Sequence, residues 1–392
     1  VNWVVQAIGW ALVLLILADT YLAVLYARAG TGLVSVRLQR GIWQLARWLS
    51  RVLPGERAAL QSFVGPTLLV VTVAFWVIGL VLGFGLIVWP GLGTAIQSSD
   101  GPTPTDFATA LYYSGYGLTT LGTGDIVPRT GFYRVLLVMQ AALGFSVLTT
   151  TLTYFLSIYS ALLRRNAFAV SLHHGTGSSG DAVDLLTRLG FGGDVGGAQR
   201  EIAAIAGNMV NVLESHHFYP VLHYFRFREP YYALPRIAFT VMDTASLIKS
   251  AVDGSTYPSL VRSAAVAELW GGGLHLLDLV SSSFLPDGAP GRADQPEADE
   301  VEQWREHYQQ AVTRLQEVGI AVVANREAGA EQYLVLRHAW NTSVRAIARQ
   351  MAHRWGDVVP ATTPADDHVA GHDAGRNSQE VAAWNQGASG TE

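Results

Sequence analysis

The sequence predicts an all-α membrane protein: three transmembrane helices, with a short helix and a glycine-rich turn between the second and third, then an α-helical cytoplasmic domain. Three observations predict it. Of the 392 residues, 50% are hydrophobic and only 15% are charged, against about a quarter charged in soluble domains. Residues 3–27, 63–89 and 135–163 are each longer than the roughly 20 apolar residues that cross a bilayer. From residue 166 onward the composition becomes that of a soluble domain with helical periodicity.

Composition narrows the function classes. The net charge of -5 gives no sign of a nucleic-acid binder, and the absence of cysteine excludes disulfides, thiolate metal sites and a cysteine nucleophile. Lys249 is the single lysine. Beside abundant alanine and glycine, that points to a GC-rich bacterial genome.

Residues 1–62 are expected to hold a transmembrane helix and an amphipathic interfacial helix. The first apolar run is too long for a signal peptide, and its charges lie on the C-terminal side, so it reads as an uncleaved helix. Asp19 sits inside it. Two roles stand for Asp19: a hydrogen-bonded residue at the bundle interior, partnered by Thr20 or a neighbouring helix, or a coupling or proton-sensing site. Residues 36–53 alternate Arg37, Arg40, Arg47 and Arg51 with Leu38, Ile42, Trp43, Leu45, Trp48 and Leu49. That pattern suits a helix lying in the membrane interface with its arginines near anionic lipid. Gly41, Gln44 and the short length argue against a voltage sensor. Arginine placement sets the orientation: Arg28, Arg37, Arg40, Arg47, Arg51 and Arg57 follow the first span, and Arg164 and Arg165 end the third. The connection 90–105 has no basic residue. By the positive-inside rule the N-terminus lies outside and everything after Arg165 inside, in the cell (plasma or inner) membrane.

Residues 63–165 hold the most informative segment, Thr119-Thr120-Leu121-Gly122-Thr123-Gly124-Asp125. Non-helical backbone is tolerated at membrane depth only where protein buries it or where it lines a water-filled path. The glycines accept positive φ, so consecutive carbonyls can face one axis. With Ala110-Leu111-Tyr112-Tyr113-Ser114 before it and Pro128 after it, this segment resembles the pore loop of potassium channels, of the bacterial type. The resemblance spans about residues 63–165.

The resemblance implies a passive ion channel: an outer helix, a pore helix at 106–118, a selectivity filter at Thr119, Thr120, Leu121, Gly122, Thr123, Gly124 and Asp125, and an inner helix. Tyr112 and Tyr113 match the aromatic pair that braces the filter, and Tyr116 is a further support. Potassium would sit at the carbonyls of Thr120, Leu121, Gly122 and Thr123, replacing its hydration shell. One chain carries one copy of the motif, so a ring implies a homotetramer. Asp125 would form an acidic mouth, with Asp100 and Asp106 adding negative field. Gln140, Gly144, Leu148, Thr151 and Phe155 repeat at three to four residues and are expected to face the pathway. Gly144 reads equally as a hinge or as a close-packing position. Thr123 departs from the family, which places an aromatic between the two glycines. Either the tyrosines brace the filter instead, or it widens and admits sodium.

Beyond the third span, helices are expected at 181–189, 199–214, 235–252 and 259–282, together forming a domain over 166–284. An acidic, Pro- and Gly-rich linker follows at 285–300, then a helical segment at 301–356 and a disordered tail at 357–392. Gly175-Thr176-Gly177-Ser178-Ser179-Gly180 is a literal GxGxxG. No βαβ alternation follows it, so a flexible linker is the better reading. His216, His217 and His223 fit no zinc spacing and read as surface or capping residues. The aromatics Phe218, Tyr219, Tyr224, Phe225, Phe227, Tyr231 and Tyr232 read as core. Nothing resembles a nucleophile elbow; no enzyme and no cofactor beyond permeant potassium is expected. The reading is thus a tetrameric cation channel subunit, a potassium conductor by its resemblance, with two alternatives: a weakly selective Na/K channel, or a non-conducting membrane-anchored partner-binding protein. The ligand or partner of the cytoplasmic part is not assigned.

Overall fold

The structure is a computed structural model and describes residues 2–26, 32–52, 57–190, 194–285 and 296–359. The elements run α1 (Asn2–Thr20), α2 (Ser35–Val52), α3 (Arg57–Val88), β1 (Ile96–Ser98), α4 (Phe107–Leu118), β2 (Ile126–Pro128), α5 (Gly131–Gly175), α6 (Ala182–Arg188), α7 (Val195–Phe218), α8 (Leu234–Ser250), α9 (Pro258–Val261), α10 (Ala264–Phe284), α11 (Ala298–Glu317), α12 (Arg326–Gln350) and α13 (Trp355–Val358). Among the described residues, three helical stretches are long and apolar enough to span a membrane: Asn2–Leu25, Gln61–Gly91 and Gly131–Gly175. The all-α membrane architecture is the one the composition predicts. The one small sheet among the described residues is the antiparallel pair β1–β2, with Gln97 opposite Val127.

α1 lies against α3, and glycine makes the approach possible. A Cβ at Gly79 would stand 2.6 Å from Ile16, and one at Gly83 2.7 Å from Val13. Gly79 and Gly83 are four apart, the spacing that lets membrane helices pack backbone to side chain. Asp19 closes the end of this pair. Its carboxylate accepts from the Val34 N–H at 2.7 Å, the Ser35 N–H at 3.2 Å and the Trp76 Nε1–H at 2.8 Å. It therefore caps the start of α2 from another helix and pins α1, α2 and α3 together. The partners are Trp76 and the start of α2; Thr20 instead bonds back to Ile16 O.

α2 is also held on its other side. Trp43 is buried, edge-on to Tyr224 at 5.5 Å and tilted against Phe284 at 6.1 Å. Arg40 donates to Ser283 O and Arg47 to Gln350 Oε1. Two of the four arginines expected to meet lipid thus reach the C-terminal helices. Arg37 turns back to Leu33 O, and the Arg51 side chain lies outside the described residues. Leu45, Trp48 and Leu49 remain exposed.

The third span differs from expectation in length. α5 is one helix of 45 residues and continues past Arg165, so the division at 165/166 falls inside it. The pair Arg164-Arg165 marks a charge boundary, but Phe168, Ala169 and Leu172 carry the buried stripe onward. Arg165 is itself buried, with its guanidinium donating to Leu222 O and Phe225 O, both at 3.3 Å. Main-chain carbonyls take the place of a carboxylate there.

Residues 175–180 correct the linker reading. They form a bonded turn: Ser178 N–H donates to His173 O at 2.7 Å, Gly180 N–H to Thr176 Oγ1 at 2.9 Å, and Thr240 Oγ1–H to Gly180 O at 2.8 Å. A helix precedes the turn rather than a strand, so the GxGxxG pattern has no dinucleotide-binding context.

α6 to α13 pack as a helical module in which α8 is nearly all buried. Asp243 is its polar centre. The carboxylate accepts from Tyr333 Oη at 2.5 Å and Arg337 Nη1 at 2.8 Å, and lies 3.0 Å from His307 Nε2. Burial alone would push this carboxyl up, but the Arg337 and His307 charges and the hydrogen bonds hold it down at about 2. Arg337 in turn lies over Phe239 and Trp340 at 4.7 and 4.9 Å. The helical segment expected over 301–356 is broken between α11 and α12, where Gly319 takes φ +80. His216 and His223 are a further correction. They are buried, stacked ring on ring at 5.0 Å, rather than at the surface; only His217 escapes. Tyr224 and Phe225 are core as expected, whereas Phe218 is exposed. Most of the acidic linker (286–295) and of the tail (360–392) lies outside the described residues.

Candidate functional site

The turn at 119–125 is held between α4 and β2. α4 starts at Asp106, whose carboxylate accepts from Thr109 N–H and Thr109 Oγ1–H, both at 2.9 Å. Asp106 is therefore a helix cap, a role its charge alone did not reveal. α4 ends at Leu118, and its last turn delivers the chain directly into Thr119: Thr119 N–H donates to Gly115 O, and Leu121 N–H to Tyr116 O, both at 3.0 Å. The negative end of the helix dipole thus lies at Thr119 and Thr120.

The backbone of the turn alternates. φ is +58 at Thr120, +61 at Gly122 and +75 at Gly124, while Leu121 and Thr123 between them stay out of the left-handed region. Glycine reaches that region at little cost. Threonine is β-branched, and a positive φ there is strained by about 1–3 kcal/mol. Strain of this size persists only where the surroundings over-determine the backbone. The whole run from Thr119 to Asp125 is exposed, with Leu121 at 70%.

Two sides brace the 123–125 end of the turn. From the β1 side, Ser99 N–H donates to Asp125 O at 2.7 Å and Ser99 Oγ–H to Gly124 O at 2.6 Å. From the α4 side, Tyr112 Oη donates to Thr123 Oγ1 at 3.2 Å, and Thr123 Oγ1 donates to Asp125 Oδ1 at 2.6 Å. Tyr116 lies edge-on between Tyr112 and Tyr113, at 5.4 and 5.2 Å, and its hydroxyl bonds Ile126 O. Tyr113 is buried behind Tyr116, with its hydroxyl unpartnered among the described residues. Ser99 was not singled out from the sequence; it stands 25 residues before Gly124, and no local pattern marks it.

The five α5 positions separate. Gly144, Leu148 and Thr151 join Leu118, Thr119 and Thr120 around an apolar hollow of about 160 Å³ directly below the turn. Gln140 does not face it. Its side chain is buried and donates to Ser114 O at 2.6 Å and Ser114 Oγ at 3.0 Å, so it fastens α5 to α4. Phe155 leans on the core shared with the C-terminal module. At Gly144 a Cβ would stand 1.9 Å from Leu118 O, and α5 passes through this point unbroken. Close packing is therefore the role the contacts display. Thr149, Thr153 and Ser157 bond back to carbonyls four residues earlier.

A strained, exposed, alternating turn at the mouth of a short re-entrant helix, framed by two spans, defines an ion-channel pore region. Comparison agrees: residues 68–161 match the family described as "Ion channel". At greater length the chain is similar to the uncharacterized membrane protein YdjJ of Bacillus subtilis (strain 168), with 23% identity over 306 residues, covering 77% of this chain and 81% of the relative. No solved structure matches.

Proposed function

We propose that this chain is the pore-forming subunit of a homotetrameric, potassium-conducting channel of the cell membrane. Potassium ions pass between carbonyls of Thr120, Leu121, Gly122 and Thr123. The alternation of positive φ at Thr120, Gly122 and Gly124 carries this reading. Handedness that reverses at every second residue turns successive peptide planes the same way, which aims a column of carbonyls at one line. Glycine supplies two of the three reversals, and the third is held in a strained threonine.

Exposure supports the tetramer. A lone chain leaves the turn uncovered, and uncovered backbone is not stable at membrane depth. Copies of the same turn around an axis cover it and complete the coordination shell. The exposed Leu45, Trp48 and Leu49 of α2 support an interfacial helix with lipid beneath it. The arginine distribution supports an outside N-terminus.

Purified protein in planar bilayers under bi-ionic potassium and sodium tests the proposal. A reversal potential favouring potassium is expected, and Gly122→Ala abolishes the current, because a Cβ at φ +61 is strained. A reversal near zero sinks potassium selectivity and leaves a weakly selective cation channel. Absence of current from the wild type sinks conduction and leaves a membrane anchor for a partner.

A further inference from the structure

We infer that Arg165 on α5 and the stacked pair His216–His223 form a binding site for a compact halide, chloride in a cell. The inference does not depend on whether the chain conducts.

A guanidinium keeps its charge at any pH a cell meets. Burying it is costly unless an opposite charge pairs with it. Arg165 is 1% exposed. Among the described residues no carboxylate lies within ion-pair reach of it. Its Nη1 and Nη2 donate to the carbonyls of Leu222 and Phe225, each at the long distance of 3.3 Å, and its Nε is buried without a partner among the described residues. The ring of Phe227, 5.7 Å from the guanidinium, adds a weak attraction. Two carbonyls and a ring supply partial charges only.

The segment that holds Arg165 also delivers N–H groups. His223 stands between Leu222 and Phe225, whose carbonyls bond the guanidinium, and its ring stacks on His216 of α7 at 5.0 Å. Both imidazoles are buried. Both ring nitrogens of His216 lack a partner among the described residues, so its one N–H is unpartnered in either neutral tautomer. Nε2 of His223 is unpartnered as well. Arg226, next after Phe225, adds another buried, unpartnered Nε, and Asp357 lies near enough to offset part of its charge. A fixed positive charge, N–H donors and exclusion of water suit a desolvated anion.

Packing narrows the class of anion. Phe284 lies over His223 at 5.5 Å. Gly65 of α3 lets the Phe225 ring approach so closely that a Cβ there would stand 2.8 Å from it. A phosphate or carboxylate ligand needs more room and more donors than this joint offers; a monatomic ion needs neither. The ion joins α5, α7 and the 220–225 segment, and so ties the third span to the helical module.

The test is thermal unfolding of the full chain in detergent, in sodium chloride or sodium gluconate at one pH and ionic strength. Chloride is expected to raise the midpoint by about 3–6 °C, the shift given by a ligand at ten times its dissociation constant in a domain of this size. Arg165→Met keeps side-chain length without the charge and is expected to abolish the difference between the salts. His216→Phe/His223→Phe keeps Arg165 and the stacked rings but removes the N–H groups, and is expected to reduce the difference by about half or more. Arg200→Gln, at an exposed arginine, is expected to leave it intact.

Equal midpoints of the wild type in the two salts overturn the inference and leave buried water as the partner of these nitrogens. A chloride effect that persists in Arg165→Met overturns it too, since it marks a general salt effect. Where Arg165→Met does not fold, the double histidine variant and bromide decide. An unchanged salt difference in that variant overturns the site. Bromide in place of chloride is expected to give an anomalous diffraction peak against the Arg165 guanidinium, and crystals without a peak there overturn the site as well.

Discussion

Acid should loosen the C-terminal module, beginning near pH 6.5, because of two histidines. His216 and His223 are buried and stacked at 5.0 Å. Both ring nitrogens of His216 and Nε2 of His223 lack a partner among the described residues. Burial pushes both imidazoles down from their ordinary 6.5, and the nearby Arg165 guanidinium adds to it. His223 falls to about 3. His216, which also faces His223, falls well below its usual range. Each ring is therefore neutral when folded and protonated when exposed in acid. A group with a depressed folded pKa contributes stability above its unfolded pKa and loses it as pH falls toward the folded one. The loss is about 1.4 kcal/mol per pH unit for each histidine. Between pH 6.5 and 5.0 two such groups cost about 4 kcal/mol, a large share of the roughly 5–15 kcal/mol that holds a domain together. Hydrogen exchange of the full chain in detergent, at pH 7, 6 and 5, reads this out in α7 and in the 220–225 segment. His216→Phe/His223→Phe keeps stacked rings without a titration and should reduce the response, leaving the share of His353, which burial and the Arg226 and Arg165 charges push down to about 3. Protection that stays constant from pH 7 to 5 in the wild type refutes the reasoning, as does an unchanged slope in the double variant.

Two further outcomes follow from packing and charge. Asp243→Asn leaves the Arg337 guanidinium buried without its carboxylate and should cost about 3–5 kcal/mol, seen as a lower denaturation midpoint; a change below 1 kcal/mol would mean the network is dispensable. The acid sensitivity of that carboxylate is separate, confined to pH between its ordinary 3.8 and about 2, well below the histidine window. Gly144→Ala places a methyl 1.9 Å from Leu118 O and should cost about 1–3 kcal/mol through overpacking, with loss of current as the end of α4 shifts. Current and thermal stability at wild-type levels would show that α5 has slack at this point.

Much of the membrane part was readable because its signals are local. The apolar runs announce the spans, and Thr119 to Asp125 carries its own turn chemistry in its glycines. The four-residue spacing of Gly79 and Gly83 is a local signal for close helix packing as well. Other features were hidden because they depend on partners far along the chain. Gln140 sits at a spacing that suits a pathway, but Ser114, 26 residues earlier, claims its amide. Arg165 reads as the end of a helix until the carbonyls of Leu222 and Phe225 supply it with acceptors. His216 and His223 look like surface residues because histidine usually is polar enough to stay wet.

Periodicity, apolar length and glycine placement needed no folding to be informative, since each acts within a few residues of backbone. The role of Asp19 as a cap for a different helix, the Tyr112–Thr123–Asp125 relay and the Asp243 centre arose only when distant segments met. Hydrogen bonds and buried charges are resolved by whichever groups come within about 3 Å, and that proximity is a property of the packed chain, not of neighbours in the sequence.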